Sequence, residues 1–302
     1  MPRDSCACRA SRRQDWRHRG ARTGYFHWDT RELIFDEAFL QAFSSEHSAL
    51  KGFVDGLRQL LDPGQDVQAR LLGWRRLKIA WGEYYSVVGD GPEACGHFTR
   101  ACEAAGARIS STGRTAPNCA LLALGPYIGA PQLPSSAGDF DDRVPATLNR
   151  ALCGFIRRRP ADGRNECVMT PWYDELLHDL GFTRADHPPK PMDLVVYTVV
   201  KPTTDERGTE SAVHFGRVVV DNGHDKMGHQ TGRALMVESK SGYAFHTYVH
   251  PVNVVDPTYL IEAPCMRVHF YRQHAPPLPS HELTKLAGRY EERMRSDFGY
   301  GV

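Results

Sequence analysis

The 302-residue sequence contains no run of about 18 consecutive apolar residues, the minimum for a helix that crosses a bilayer. Its start lacks the apolar core of a secretion signal. The first 24 residues hold seven arginines and no hydrophobic stretch, so the cytoplasm is the default location. Neither charge sign is in excess: the net charge is +1 and the pI is near 7.7, which points to no nucleic-acid partner. No C-x-x-C pair occurs among the eight cysteines, which argues against a zinc ribbon, and in a chain this long scattered thiols read as reduced. No Walker-type or dinucleotide-type glycine loop precedes a helix, so no nucleotide cofactor is expected. His224 and His229 lie in a Gly-rich loop without cysteines or paired carboxylates nearby. They read as solvent-exposed, and no metal is expected.

What is present falls into four parts. Residues 1–25 read as a basic disordered tail. Residues 26–110 read as a helical region. Asp29-Thr30 can cap a helix from Arg31 to Phe43, and Ser45 a second in which Leu50, Phe53, Val54, Leu57, Leu60 and Leu61 share one face. Gln65 to Trp81 makes a third, and Pro92 suits the first turn of a fourth ending near Gly106. Within residues 111–275, Asn118 can cap a short helix starting at Cys119, with Gly125 as its C′ residue. Helices are expected from Pro145 to Arg159 and from Trp172 to Leu180, the latter closed by Gly181. Residues 276–302 read as a tail holding one polar helix, about Glu282 to Arg295.

Between Asp193 and Pro251 lie short β-branched and aromatic runs with Gly-rich or polar breaks, the pattern of an antiparallel meander; Arg267 to Tyr271 adds a strand. His214 sits inside the second run and Glu238 closes the third. Neighbouring strands can bring such a pair into contact, since cross-strand Cβ atoms lie about 4.5–5.5 Å apart. A nucleophile would complete the set. A cysteine attacks as thiolate, and the positive end of a helix lowers its pKa. Cys119 meets that requirement from local sequence, and its own N–H would be a free donor for an oxyanion. Cys153 falls mid-helix and Cys167 in a loop, and both remain alternatives. The bland reading of Cys119 is a small buried hydrophobe.

Four motifs in order carry a resemblance: Asn118-Cys119 with Ala123-Leu124; Pro189 through Met192 to Asp193-Leu-Val-Val-Tyr197; His214-Phe-Gly216-Arg-Val-Val; and Val237-Glu238-Ser239-Lys240-Ser241-Gly242 followed by His250-Pro251. Over residues 115–273 the chain resembles the papain-like superfamily of NlpC-type and CHAP-type amidases and endopeptidases. Met192 stands where that family has glycine, and Ser241 where it has tryptophan. The resemblance implies an α+β, papain-like fold with the cysteine helix packed on an antiparallel sheet. It implies Cys119 as nucleophile, His214 as general base and Glu238 as the group orienting the imidazole, with His246 and His250 competing for that role. The implied reaction is hydrolysis of a peptide amide through a thioester, with peptidoglycan stem peptides as the family's substrate. The alternative is a non-catalytic papain-like module, or an effector-like protein, that binds a protein partner through residues 26–110.

Overall fold

The computed structural model describes residues 25–27, 30–112, 118–130, 143–158, 165–185, 189–201, 209–219, 235–240 and 246–300. Residues 1–24 of the basic tail, Asp29, the loop holding His224 and His229, and Ser241-Gly242 lie outside the described residues.

Local signals start most helices, though not always the expected ones. Helix α1 (Glu37–Ser45) begins where Asp36 accepts the Phe39 N–H. The expected start at Arg31 fails because Arg31 has a left-handed φ of +59°, and the residues after it make bridges: Leu33 to Phe26 and Glu32 to Arg267. Ser45 ends α1 rather than capping α2 (Ser48–Leu61), whose cap is the His47 ring accepting the Ala49 N–H. Helix α3 (Val67–Val88) is capped by Asp66, and α4 (Pro92–Ala104) opens on its proline. Asn118 caps α5 (Cys119–Leu124) by accepting the Leu121 N–H at 2.9 Å. Gly125 is right-handed rather than a left-handed C′ residue, and it starts a 3-10 turn, Gly125–Tyr127.

The helix expected from Pro145 to Arg159 is instead α6 (Arg143–Cys153) followed by β2 (Phe155–Arg158), which pairs with β3 (Asn165–Val168). Gly154 makes the break. Its φ is +92°, and a Cβ there would lie 2.1 Å from the Val168 carbonyl oxygen. Cys153 is therefore the last residue of a helix and Cys167 sits in a strand.

Helix α7 (Tyr173–Asp179) leads into the main sheet, formed by β1 (Arg108–Thr112), β4 (Phe182–Arg184), β5 (Leu194–Lys201), β6 (Thr209–Val218), β7 (Met236–Ser239), β8 (His246–Pro251) and β9 (Met266–Gln273). The strand order is β1-β8-β7-β6-β5-β9-β4, and every pairing is antiparallel. The protein is thus α+β. The chain ends in α8 (Ser280–Phe298), which is no polar tail. It buries Leu283, Leu286, Ala287, Tyr290 and Met294 at helical spacing and packs against α6.

Strand alternation divides the core in two. Val195, Tyr197 and Val199 of β5 face one core with Phe39, Phe53 and Leu77 of helices α1–α3 and Phe98 of α4. Leu194 and Val196 face the other, with Cys119 and Leu124 of α5, Leu148 of α6, Leu176 of α7 and Tyr290 of α8. The sheet is a partition between an N-terminal helical layer and a second layer made of α5–α8.

Candidate active site

Strand β6 carries residues to both layers. Its His214 pairs with Tyr197, a residue of the α1–α4 core, while Phe215 pairs with Val196, a residue of the α5–α8 core. The His214 ring accordingly lies beside Tyr197 and Tyr259, with ring centroids 5.4 and 6.0 Å away. Helix α5 packs on the opposite side of the same strand, where Arg217 Nε donates to the Ala123 carbonyl at 2.8 Å. Cys119 is buried in that second core with Phe215. The expected Cys119–His214 contact is therefore not formed, because the two side chains lie on opposite faces of the sheet.

Each thiol or imidazole has acquired other neighbours. The Cys119 sulfur is approached by the Phe215 N–H and by the N–H groups of Ala120 and Cys119 itself, with Lys240 close enough to favour the thiolate. Burial outweighs all of these and pushes the thiol up to about 11. Cys153 is driven well above the ordinary thiol range, first by burial and then by Cys119. Cys167 is exposed. Burial also lowers the Lys240 ammonium, opposed by Cys119. Phe215 and Lys240 were not singled out from sequence, although both fall inside the quoted motifs.

His214 Nε2 lies 3.0 Å from Ser239 Oγ, and Ser239 Oγ lies 2.7 Å from His250 Nε2. The proton inventory of this chain follows from its far end. His250 Nδ1 is 2.8 Å from the Pro251 carbonyl, which can only accept, so Nδ1 carries the hydrogen. In neutral His250, Nε2 then accepts from the Ser239 hydroxyl, and Ser239 Oγ accepts from His214 Nε2–H. His214 is thereby a donor at Nε2, and its bare Nδ1 has no hydrogen-bond partner among the described residues. Burial, with His250 adding repulsion, holds His214 down at about 3; burial holds His250 down at about 4. Both rings line a cavity beneath Phe98 and Cys102 of α4, closed by Asp256 and Tyr259, with room for about one water molecule.

The residue beside His214 is thus Ser239, with His250 behind it. Glu238 points to neither. It alternates with Ser239 on β7, opposes Arg217 across the β6–β7 ladder, and accepts from Ser110 Oγ at 3.3 Å. His246 has no hydrogen bond at Nδ1 among the described residues. Gly216 matters for packing: a Cβ there would meet Val237 Cγ1 at 2.5 Å and the Glu238 carbonyl at 2.9 Å. Asp193 has the structural role its position at a strand start suggests. It accepts the Lys190 N–H and both prongs of Arg272, at 2.7 to 2.9 Å. The adjoining Met192 has φ +73°, a left-handed conformation that glycine adopts without strain.

Fold and site together define an α+β protein with helical layers on both faces of an antiparallel sheet. No known protein family, curated protein or solved structure matches the chain. Among the described residues, no group of three or more His, Cys, Asp and Glu is placed to hold a metal ion, and no helix is long and apolar enough to cross a membrane.

Proposed function

We propose that this chain is a non-catalytic, protein-binding module on a papain-like scaffold. Support for the scaffold is the order of its parts: an Asn-capped cysteine helix, then an antiparallel sheet whose histidine strand lies directly beneath that helix. The observation that carries the non-catalytic reading is the partition of Cys119 and His214 by β6. A base must come within about 2.6–3.2 Å of the proton it removes, directly or through one water. His214 is across the sheet, and its Nε2 already donates to Ser239. The thiol itself is held protonated by burial.

Hydrolysis of peptide amides is the second reading, and one feature favours it. The three N–H groups and Lys240 around the Cys119 sulfur are the kind of donors that steady a thiolate or an oxyanion.

Alkylation separates the two. At neutral pH, iodoacetamide should modify Cys119 roughly tenfold or more slowly than exposed Cys167, because so little of Cys119 is thiolate. Preferential labelling of Cys119 that disappears in His214→Ala would overturn the non-catalytic reading and establish the hydrolase.

A further inference from the structure

Helix α3 is the long outer helix of the N-terminal layer, and it packs lengthwise on α2. Its inner face buries Leu77, Ala80 and Tyr84. Its outer face leaves Leu71 and Leu72 each 45% exposed and Ile79 63% exposed. Leu72 and Ile79 are seven residues apart, so they sit on one stripe about 10 Å apart along the axis. Between Asp66 and Glu83 the helix carries four cations, Arg70, Arg75, Arg76 and Lys78, and no acid. Arg75, Arg76 and Lys78 make no ion pair among the described residues. Arg76 donates to the Gln59 amide and Lys78 lies over the Trp74 ring. An apolar stripe flanked by unneutralised cations is a face without its counterpart.

Charge decides among the occupants. The N-terminal segment 1–24 has seven arginines against two acids, the same sign as this face. A second copy of α3 laid on the first would also oppose cation with cation. Building on the binding-module reading above, we propose that the outer face of α3 docks an acidic amphipathic helix of a partner protein. Leucine-like side chains of that helix would sit over Leu72 and Ile79, and its carboxylates would pair with Arg75, Arg76 and Lys78. Bidentate guanidinium–carboxylate pairing gives such contacts directional strength. The face is the exposed side of a helix already packed on α2, so a second helix can lie alongside it.

The test uses the full chain and two synthetic helical peptides of about 18 residues with leucines in the same register. One carries glutamate at its polar positions and the other lysine. The Leu/Glu peptide should bind, and the Leu/Lys peptide should bind at least about tenfold more weakly. The pair Arg75→Glu and Arg76→Glu should lower Leu/Glu affinity about tenfold or more, and Leu72→Ser with Ile79→Ser should do likewise. All four positions are exposed, and circular dichroism checks that the variants fold. Equal binding of the two peptides, or no effect of the variants, overturns the proposal. Two further outcomes overturn it in favour of another occupant. One is binding to phosphatidylglycerol vesicles that needs these residues; the other is a dimer, by light scattering, that the charge reversals dissolve. None of these results bears on Cys119 labelling, so the failure of one proposal does not imply the failure of the other.

Discussion

The two faces of the sheet each hold buried histidine, and they surround it with different partners. On the α5–α8 face, His269 pairs with Val196 across β9 and β5, and its Nε2 bonds Glu210, which also accepts from Thr198 and lies near Arg267. Burial pushes Glu210 up, but His269 and the other partners outweigh it and hold the carboxyl down at about 2. On the α1–α4 face, His214 and His250 share a serine hydroxyl, and His250 also meets the backbone at Pro251 and Val254. A carboxylate partner can offset the cost of charging an imidazole; a hydroxyl cannot. Burial lowers all three imidazoles, but at His269 the Glu210 carboxylate opposes it, whereas His250 adds its own repulsion at His214.

Acid should break that comparison most forcefully. His214 and His250 have folded-state values near 3 and 4, below the ordinary 6.5. Below pH 6.5 the unfolded chain binds protons that the folded one refuses, so stability is full above that pH and is lost as pH falls towards 4. Two such groups cost about 2.7 kcal/mol per pH unit, or about 5 kcal/mol between pH 6.5 and 4.5. Asp256, raised by burial in the same cavity, offsets part of this at the acid end. Hydrogen exchange at pH 5 should quicken in α4, β7 and β8 before α6 and α8. Simultaneous loosening of both layers would show that the His214 pair is not the weak point.

Ser239→Ala sharpens the comparison at one atom. It strips the hydrogen-bond partner from two buried ring nitrogens and should destabilise the fold by about 2 kcal/mol in urea melts. An unchanged midpoint would mean that the chain of bonds through Ser239 is not what keeps both rings neutral.

The smallest effect concerns the turn that launches β5. Met192→Gly relieves a left-handed backbone at an exposed side chain, and should stabilise by about 1 kcal/mol. A lower melting temperature would show that the Met192 side chain contributes more than its strain costs.

Much of the framework was legible locally. Asn118 before Cys119 marked a helix start because a short side-chain oxygen can satisfy a free N–H, and it does. The β-branched runs marked β5 and β6, and the pleat makes His214 and Phe215 face opposite ways in any sheet. At residues 154–158 the structure departs from the expected helix, because Phe155 and Ile156 fit a helical face as well as a strand. Only the contact at Gly154 shows which is formed. The expected helix from Arg31 failed for a similar reason: its backbone pairs with β9, far away in sequence.

Alternation by itself says that His214 and Phe215 part company, but not what waits on either side. The sequence determined the Cys119 helix cap, the strands and the parity of every side chain along them, since these depend on atoms a few residues apart. Only tertiary structure decided that α5 covers the Phe215 face while α4 covers the His214 face, because that choice is set by long-range burial of whole helical layers. That choice, not the absence of a nucleophile or a base, keeps Cys119 and His214 apart.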